Sequence, residues 1–128
     1  MNKGMKKRWI SLYVENQVGV LSKISGLFSA KSYNLDSLTV GTTEDSTVSR
    51  MTIATVSDDE TFEQIKKQLA KLVDVRDIKE LKPDESVRRE LMLVKIRVNE
   101  NERRNVIAIS DVFRGRIVDV GQESLIVE

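Results

Sequence analysis

The sequence predicts an α+β fold in which two units repeat one order of short strands and helices. Apolar residues at positions 8–81 alternate in some segments and follow helical spacing in others, which gives the order β-α-β-β-α-β. A shorter β-α-β-β order follows at positions 91–128. A charged stretch around Pro83, the only proline, separates the two. We therefore expect an antiparallel sheet with helices on one face, once complete and once in part.

The first strand and the first helix have the most regular patterns. In "RWISLYV", Ile10, Leu12 and Val14 alternate with the other positions, which is the period of a half-buried strand. The polar segment "ENQVG" follows it. The next apolar residues return every three or four positions, as on one face of a helix: Val20, Leu21, Ile24, Leu27 and Phe28. This helix is predicted to end at "SYN".

Two strands, a helix and a last strand complete the first unit. "NLDSLTVGT" and the β-branched "TVSRMTIATV" are typical of strands, with "TEDS" as the turn between them. Ser57 and Glu60 have the spacing of a capping box, with Ser57 as the N-cap of the second helix. That helix has one apolar stripe: Phe62, Ile65, Leu69 and Leu72. "VDVRDIKEL" is the predicted fourth strand, with Val73, Val75 and Ile78 as its apolar positions. This is the ferredoxin-like arrangement.

The predicted domains are residues 8–81, a linker at 82–90 and a second domain at 91–128. In the second domain, "ELMLVKIRV", "GRIVDVG" and "SLIVE" are predicted strands, and "NENERRNVIAISDVF" is a helix with Val106, Ile109, Val112 and Phe113 as its buried stripe. The second helix and fourth strand of a full repeat are missing. We expect an incompletely covered apolar face in this ferredoxin-like unit: Met92, Val94, Ile96, Val106, Ile109, Phe113, Ile117, Val118 and Leu125.

The composition argues against several classes of function. The sequence has no cysteine, which excludes thiolate chemistry, and no histidine, which removes the commonest general base and metal ligand. We therefore expect no catalytic residues and no metal site. The net charge of +1 favours neither nucleic acid nor an acidic membrane as a partner. No apolar run has the length of a membrane span, and the basic N-terminus is not followed by a signal segment, so we expect a cytoplasmic protein.

The segment between the first strand and the first helix is the candidate binding site. Asn16 and Gly19 precede the helix, whose free backbone N–H groups and positive dipole end suit a carboxylate or phosphate. Taken alone, the same two residues are equally explained as an N-cap and a turn glycine. A side chain at Gly19 is compatible with folding if this residue has negative φ. Glu15 and Asp36 are more simply solvated carboxylates than an acid–base pair.

The Asn16–Gly19 loop within a β-α-β-β-α-β unit resembles the ligand-binding loop of ACT domains, which bind amino acids at domain interfaces. "GLFSAKSYNLDSLTVGTTEDSTVSRMTIATV", "IKKQLAKLVDV", "RRELMLVKIRV" and "FRGRIVDVG" are similar to the regulatory, or small, subunits of acetolactate synthase. The resemblance extends from about Arg8 to the last residue, although the family's second domain is longer. It implies an effector site formed by these residues: Asn16, Val18, Gly19, Val20, Leu21, Asn34 and Leu35. Asn34 would face the ligand of a neighbouring protomer.

The resemblance also implies partners and a role. It implies a homodimer through the ACT domains that binds a branched-chain amino acid, most simply valine, and a large catalytic subunit. That partner would carry thiamine diphosphate, Mg and FAD, whereas this chain would bind no cofactor. The small subunit would activate the enzyme and confer feedback inhibition in valine, leucine and isoleucine biosynthesis. An ACT-type amino-acid sensor for a different partner is the alternative.

Two other classes share this order of elements. RNA-recognition modules need aromatic residues on the first and third strands, but the third strand here has none, and Trp9 and Tyr13 stand alone on the first. Small acyl-phosphate hydrolases of this fold need an arginine just after the loop, where this chain has Ser22 and Lys23. Arg114 and Arg116, on either side of Gly115, suit either contact with an anion or the partner, or a polar strand start.

Overall fold

The computed structural model describes residues 4–128, which divide into two compact units at Val87 and Arg88. The first unit contains β1 (Lys6–Glu15), α1 (Val20–Ala30), β2 (Ser37–Thr42), β3 (Val48–Ser57), α2 (Asp59–Ala70) and β4 (Val75–Glu80). The second contains β5 (Val94–Arg97), α3 (Glu100–Val112), β6 (Ile117–Val120) and β7 (Ser124–Val127). The predicted α+β class and both predicted element orders are confirmed.

The four strands of the first unit form one antiparallel sheet with the order β2-β3-β1-β4. Ile10 lies opposite Ile53, and Leu12 lies opposite Met51, so these four side chains point to the same face of the sheet. All four are buried. The alternation read from β1 is therefore the alternation between a core face and an outer face.

Both helices of the first unit contribute to the core on this face of the sheet. Helix α1 buries Val20, Ile24 and Phe28, which are spaced one turn apart. The Phe28 ring meets the Tyr33 ring edge-on, with 5.9 Å between their centroids. Leu21, predicted as part of the apolar stripe, is 50% exposed, so that part of the prediction is wrong. The first turn of α1 therefore presents an apolar side chain to solvent.

The start of α2 differs from the capping-box prediction. Asp58, not Ser57, is the N-cap, and its Oδ1 accepts a hydrogen bond from Thr61 N at 2.7 Å. Ser57 is instead the last residue of β3. The hydrogen bonds from Thr61 hold the pKa of Asp58 below its usual value of 3.8. The cap is therefore complete above pH 3.8 and is lost as the pH falls through the folded-state pKa.

Two strands are shorter than the sequence predicts. Strand β2 begins at Ser37, so Asn34 precedes it, and β4 begins at Val75. Val73, predicted as a strand position, is 95% exposed because it lies in the turn between α2 and β4. That turn is closed by a hydrogen bond from Val75 N to Leu72 O at 3.1 Å.

The second unit has a three-stranded antiparallel sheet with the order β5-β7-β6. Val98 and Leu125 are its buried apolar residues within the described chain. A groove of about 440 Å³ beside α3 is lined mainly by apolar residues that include Met92, Val94 and Ile96. The predicted buried stripe of α3 is wrong, because its residues are exposed or only half-buried: Val106, Ile109, Val112 and Phe113.

We expect the two units to differ in stability in the 128-residue chain. Burying one large apolar side chain stabilises a fold by roughly 1.5–3 kcal/mol, and the second unit buries only two within residues 88–128. Amide hydrogen exchange should show strong protection at residues 10–14 and 51–56 and weak protection after residue 91. Equal protection in both units would show that the second unit has closed its core in another way.

Candidate functional site

The β1–α1 loop, residues 16–19, leaves the first turn of α1 without a side-chain cap. Asp58 and Asn99 cap α2 and α3 through hydrogen bonds to backbone N–H groups, but α1 has no side-chain cap in the described chain. Gly19 occupies its N-cap position with φ of 91°, in the left-handed region. The amino end of α1 therefore combines uncapped N–H groups with the positive end of the helix dipole.

Several N–H groups at this helix start are unpaired within residues 4–128. Those of Gly19, Leu21 and Ser22 donate to none of these residues. Val20 N is 3.5 Å from Gln17 O, which is long for a hydrogen bond. Free donors at the exposed start of a helix suit an anionic group such as a carboxylate.

Glycine is favoured at position 19 by the backbone conformation rather than by crowding from neighbouring atoms. An ideal Cβ built on this residue would have no other heavy atom within 4 Å. A side chain at Gly19 was expected to be compatible with folding if φ were negative. The condition is not met, because φ is 91°. A side chain here costs about 1–2 kcal/mol of backbone strain in an L-residue. The open space beside the Gly19 backbone is therefore available to a ligand.

The charged side chains next to the loop are paired with one another. The Arg76 guanidinium donates to the Glu15 carboxylate through Nε at 2.6 Å and Nη2 at 2.9 Å. Lys23 Nζ lies 2.8 Å from Asp74 Oδ2, and Asp74 is buried. Because both cations already have a carboxylate partner, an anion in this loop depends on the backbone N–H donors. Sequence reasoning missed these pairs, since their members are 61 and 51 positions apart.

The predicted effector residues differ in what they expose. Asn16, Val18, Gly19 and Leu21 are exposed at the start of α1. Val20 is 5% exposed, so its side chain belongs to the core and only its backbone faces the loop. The remaining two residues precede β2: Asn34, which is exposed, and Leu35, which packs partly buried against the core.

Asn16 and Asn34 lie at opposite ends of the sheet in one chain. Asn16 N donates to Thr47 O at 2.9 Å, whereas Asn34 Oδ1 accepts from Val56 N at 2.7 Å. The nine-residue step from Thr47 to Val56 along β3 spans about 30 Å. One chain therefore does not bring these two amides to the same small ligand.

The other charged candidates have separate partners. Glu15 pairs with Arg76, and Asp36 lies 2.9 Å from Lys7, so the two carboxylates do not pair with each other. Arg116, just before β6, binds Glu128, just after the neighbouring strand β7, at 3.1 Å. In the part of the chain that the structure describes, no three metal-binding side chains cluster, and no helix has the length and apolar character needed to span a membrane.

Comparison with known proteins shows which class of domain the first unit belongs to. Residues 10–77 match the family model described as an AHAS small subunit-like ACT domain, and residues 89–128 match the model for the small subunit of acetolactate synthase. The fold is similar to that of the ACT domain from GTP pyrophosphokinase of Chlorobium tepidum, with a TM-score of 0.53 and 14% identity over 61% of this chain and 88% of that one. The first unit is an ACT domain.

Relatives along almost the whole chain define the family. The chain is 50% identical over 114 residues to the acetolactate synthase isozyme 3 small subunit of Escherichia coli, which covers 89% of this chain and 70% of that protein. The crystal structure of the acetolactate synthase small subunit from Thermotoga maritima matches with a TM-score of 0.80 and 33% identity, over 95% of this chain and 76% of that chain. The chain belongs to the family of acetolactate synthase small subunits, which are regulatory subunits that partner a catalytic subunit.

Proposed function

We propose that the ACT domain binds a branched-chain amino acid, most simply valine, at the β1–α1 loop. The uncapped start of α1 carries this proposal. The free N–H groups of Gly19, Leu21 and Ser22 suit the effector carboxylate, because they lie at the positive end of the helix dipole. The exposed side chains of Val18 and Leu21 suit a short branched aliphatic chain beside it.

The site is proposed to need two protomers. Asn16 and Asn34 lie about 30 Å apart along the sheet of one chain, judged from the rise per residue of a strand. A two-fold axis that sets two ACT domains side by side in opposite directions brings the Asn34 end of one to the loop of the other. Asn34 Oδ1 is held by Val56 N, so its Nδ2 group remains to donate to a carboxylate. The proposed homodimer, with β2 or α1 near the axis, has two equivalent sites.

The proposed consequence of binding is feedback control in the cytoplasm. The small subunit activates its catalytic partner, which carries thiamine diphosphate, Mg and FAD, and the bound effector reverses part of that activation. Effector and catalytic subunit bind linked states of the small subunit, so each changes the affinity for the other by the same factor. The corresponding coupling free energy is typically about 1–3 kcal/mol. This chain supplies the regulatory site and none of the reacting groups.

The test is calorimetric titration of the chain with valine, leucine and isoleucine, together with light scattering. We expect saturable binding of a branched-chain amino acid, one molecule per protomer, by a dimer at micromolar concentration. A stable monomer in the presence of valine would contradict the two-protomer site. Titrations without heat for all three amino acids would contradict the choice of effector class.

A further inference from the structure

The turn between β2 and β3, residues 43–47, is more densely hydrogen-bonded than a short connection requires. The Asp45 carboxylate accepts from Thr47 N at 2.9 Å and from Thr47 Oγ1 at 2.7 Å. Thr43 Oγ1 lies 3.0 Å from Asp45 O and from Val48 O, and Val48 N donates to Asp45 O at 3.0 Å. The turn is therefore held in one conformation around Asp45.

This turn orients a side chain of the proposed effector site. Asn16 Nδ2 donates to Ser46 O at 3.0 Å, and Asn16 N donates to Thr47 O at 2.9 Å. A carbonyl oxygen accepts only from a donor, so the nitrogen of the Asn16 amide must face Ser46. The Asn16 Oδ1 atom is left without a donor among residues 4–128. The turn thus fixes which atom of Asn16 a ligand meets.

We infer that Asn16 Oδ1 accepts a hydrogen bond from the ammonium group of the effector and that Asp45 is the positioning residue that keeps Asn16 in this orientation. The inference rests on the proposed function and adds a selectivity to it. An α-amino acid offers a charged donor to Oδ1, whereas the 2-oxo acid with the same carbon skeleton offers a second oxygen and no donor. The free N–H groups of α1 can bind the carboxylate of either molecule. The amide of Asn16 is therefore the group that discriminates between the amino acid and the oxo acid.

The charge of Asp45 suits this positioning role. The side-chain and backbone hydrogen bonds from Thr47 hold the pKa of Asp45 below its usual value of 3.8. The carboxylate is therefore ionised at neutral pH and accepts strongly from Thr47. The adjacent Glu44 carboxylate forms no hydrogen bond with the described residues, although it lies in the same exposed turn.

The experiment compares valine with its 2-oxo acid counterpart, 3-methyl-2-oxobutanoate, by calorimetry on the full chain. We expect the unsubstituted chain to bind valine at least about 10-fold more tightly, as is typical of a hydrogen bond to a charged group. Asp45→Ala should weaken valine binding several-fold and leave the affinity for the oxo acid nearly unchanged. The ratio of the two affinities, valine over oxo acid, should therefore fall. Asp45→Asn retains an oxygen acceptor for Thr47 and should restore the ratio, and Glu44→Ala should leave it unchanged.

A second readout does not depend on the ligand. The side-chain amide signals of Asn16 in NMR spectra should show a hydrogen-bonded, fixed group in the unsubstituted chain, Asp45→Asn and Glu44→Ala, and an averaged one in Asp45→Ala. Should Asp45→Ala fail to fold, Asn16→Ala tests the same atom and should reduce the preference for valine. An unchanged ratio in Asp45→Ala, or Asp45→Asn as impaired as Asp45→Ala, overturns the role of Asp45. Failure of the unsubstituted chain to bind valine overturns the proposed function as well.

Discussion

Replacing Gly19 with aspartate is expected to weaken valine binding by about 100-fold or more, because a like charge occupies the place proposed for the effector carboxylate. The new carboxylate would itself accept hydrogen bonds from the free N–H groups at the start of α1 and compete with the ligand. The left-handed backbone adds a stability cost of about 1–2 kcal/mol, which the buried core of the ACT domain should tolerate. Calorimetry measures the binding, and thermal unfolding followed by circular dichroism measures the cost.

Gly19→Asn is the matched control for this substitution. Asparagine has nearly the same shape as aspartate and accepts positive φ readily, but it carries no charge. We expect Gly19→Asn to bind valine more tightly than Gly19→Asp, while both lose similar stability. In the complex with the catalytic subunit, Gly19→Asp should retain activation and lose sensitivity to valine. A response to valine like that of the unsubstituted chain would place the effector elsewhere.

Phe28→Ala is expected to destabilise the ACT domain by about 3–5 kcal/mol, since it removes a fully buried ring from the centre of the core. Phe28 is 1% exposed and also loses its edge-on contact with Tyr33. A loss of this size is a large part of the stability of a small domain. The measurement is urea unfolding, followed by the fluorescence of Trp9 in the first strand.

Phe113→Ala makes the same chemical change on an exposed residue. Phe113 is 81% exposed and belongs to the second unit, so the unfolding midpoint of the ACT domain should stay within experimental error. Comparable losses for Phe28→Ala and Phe113→Ala would mean that the two units unfold as one, or that Phe113 is covered in solution.

The sequence was most informative where the pattern of apolar side chains determines which face of an element is buried. The alternation in β1 predicted which residues face the core because strand geometry allows only two faces, and Ile10, Leu12 and Val14 are all buried. The pattern failed at Val73, where the chain is still turning after α2. It also failed for the cap of α2, because Ser57 and Asp58 are both good caps and only the end of β3 decides between them.

The candidate site could be predicted only in part, because its parts are far apart in sequence. The Asn16–Gly19 loop is local, and its position before a helix was readable from the apolar pattern. The contact between Asn16 and Ser46 depends on the pairing of β1 with β3, which no local pattern fixes. The N–H groups of α1 stay uncapped because Gly19 has no side-chain acceptor, whereas its left-handed conformation is one that a sequence allows without requiring.

The separation of Asn16 and Asn34 along one sheet has a consequence for the cell. If each effector site is completed only by a second chain, the effector binds the dimer better than the monomer and therefore acts as a cross-linker of subunits. Its apparent potency then rises with the amount of small subunit that is expressed. Under the proposed feedback control, the end-product concentration needed for inhibition would then depend on gene dosage as well as on the affinity of the loop.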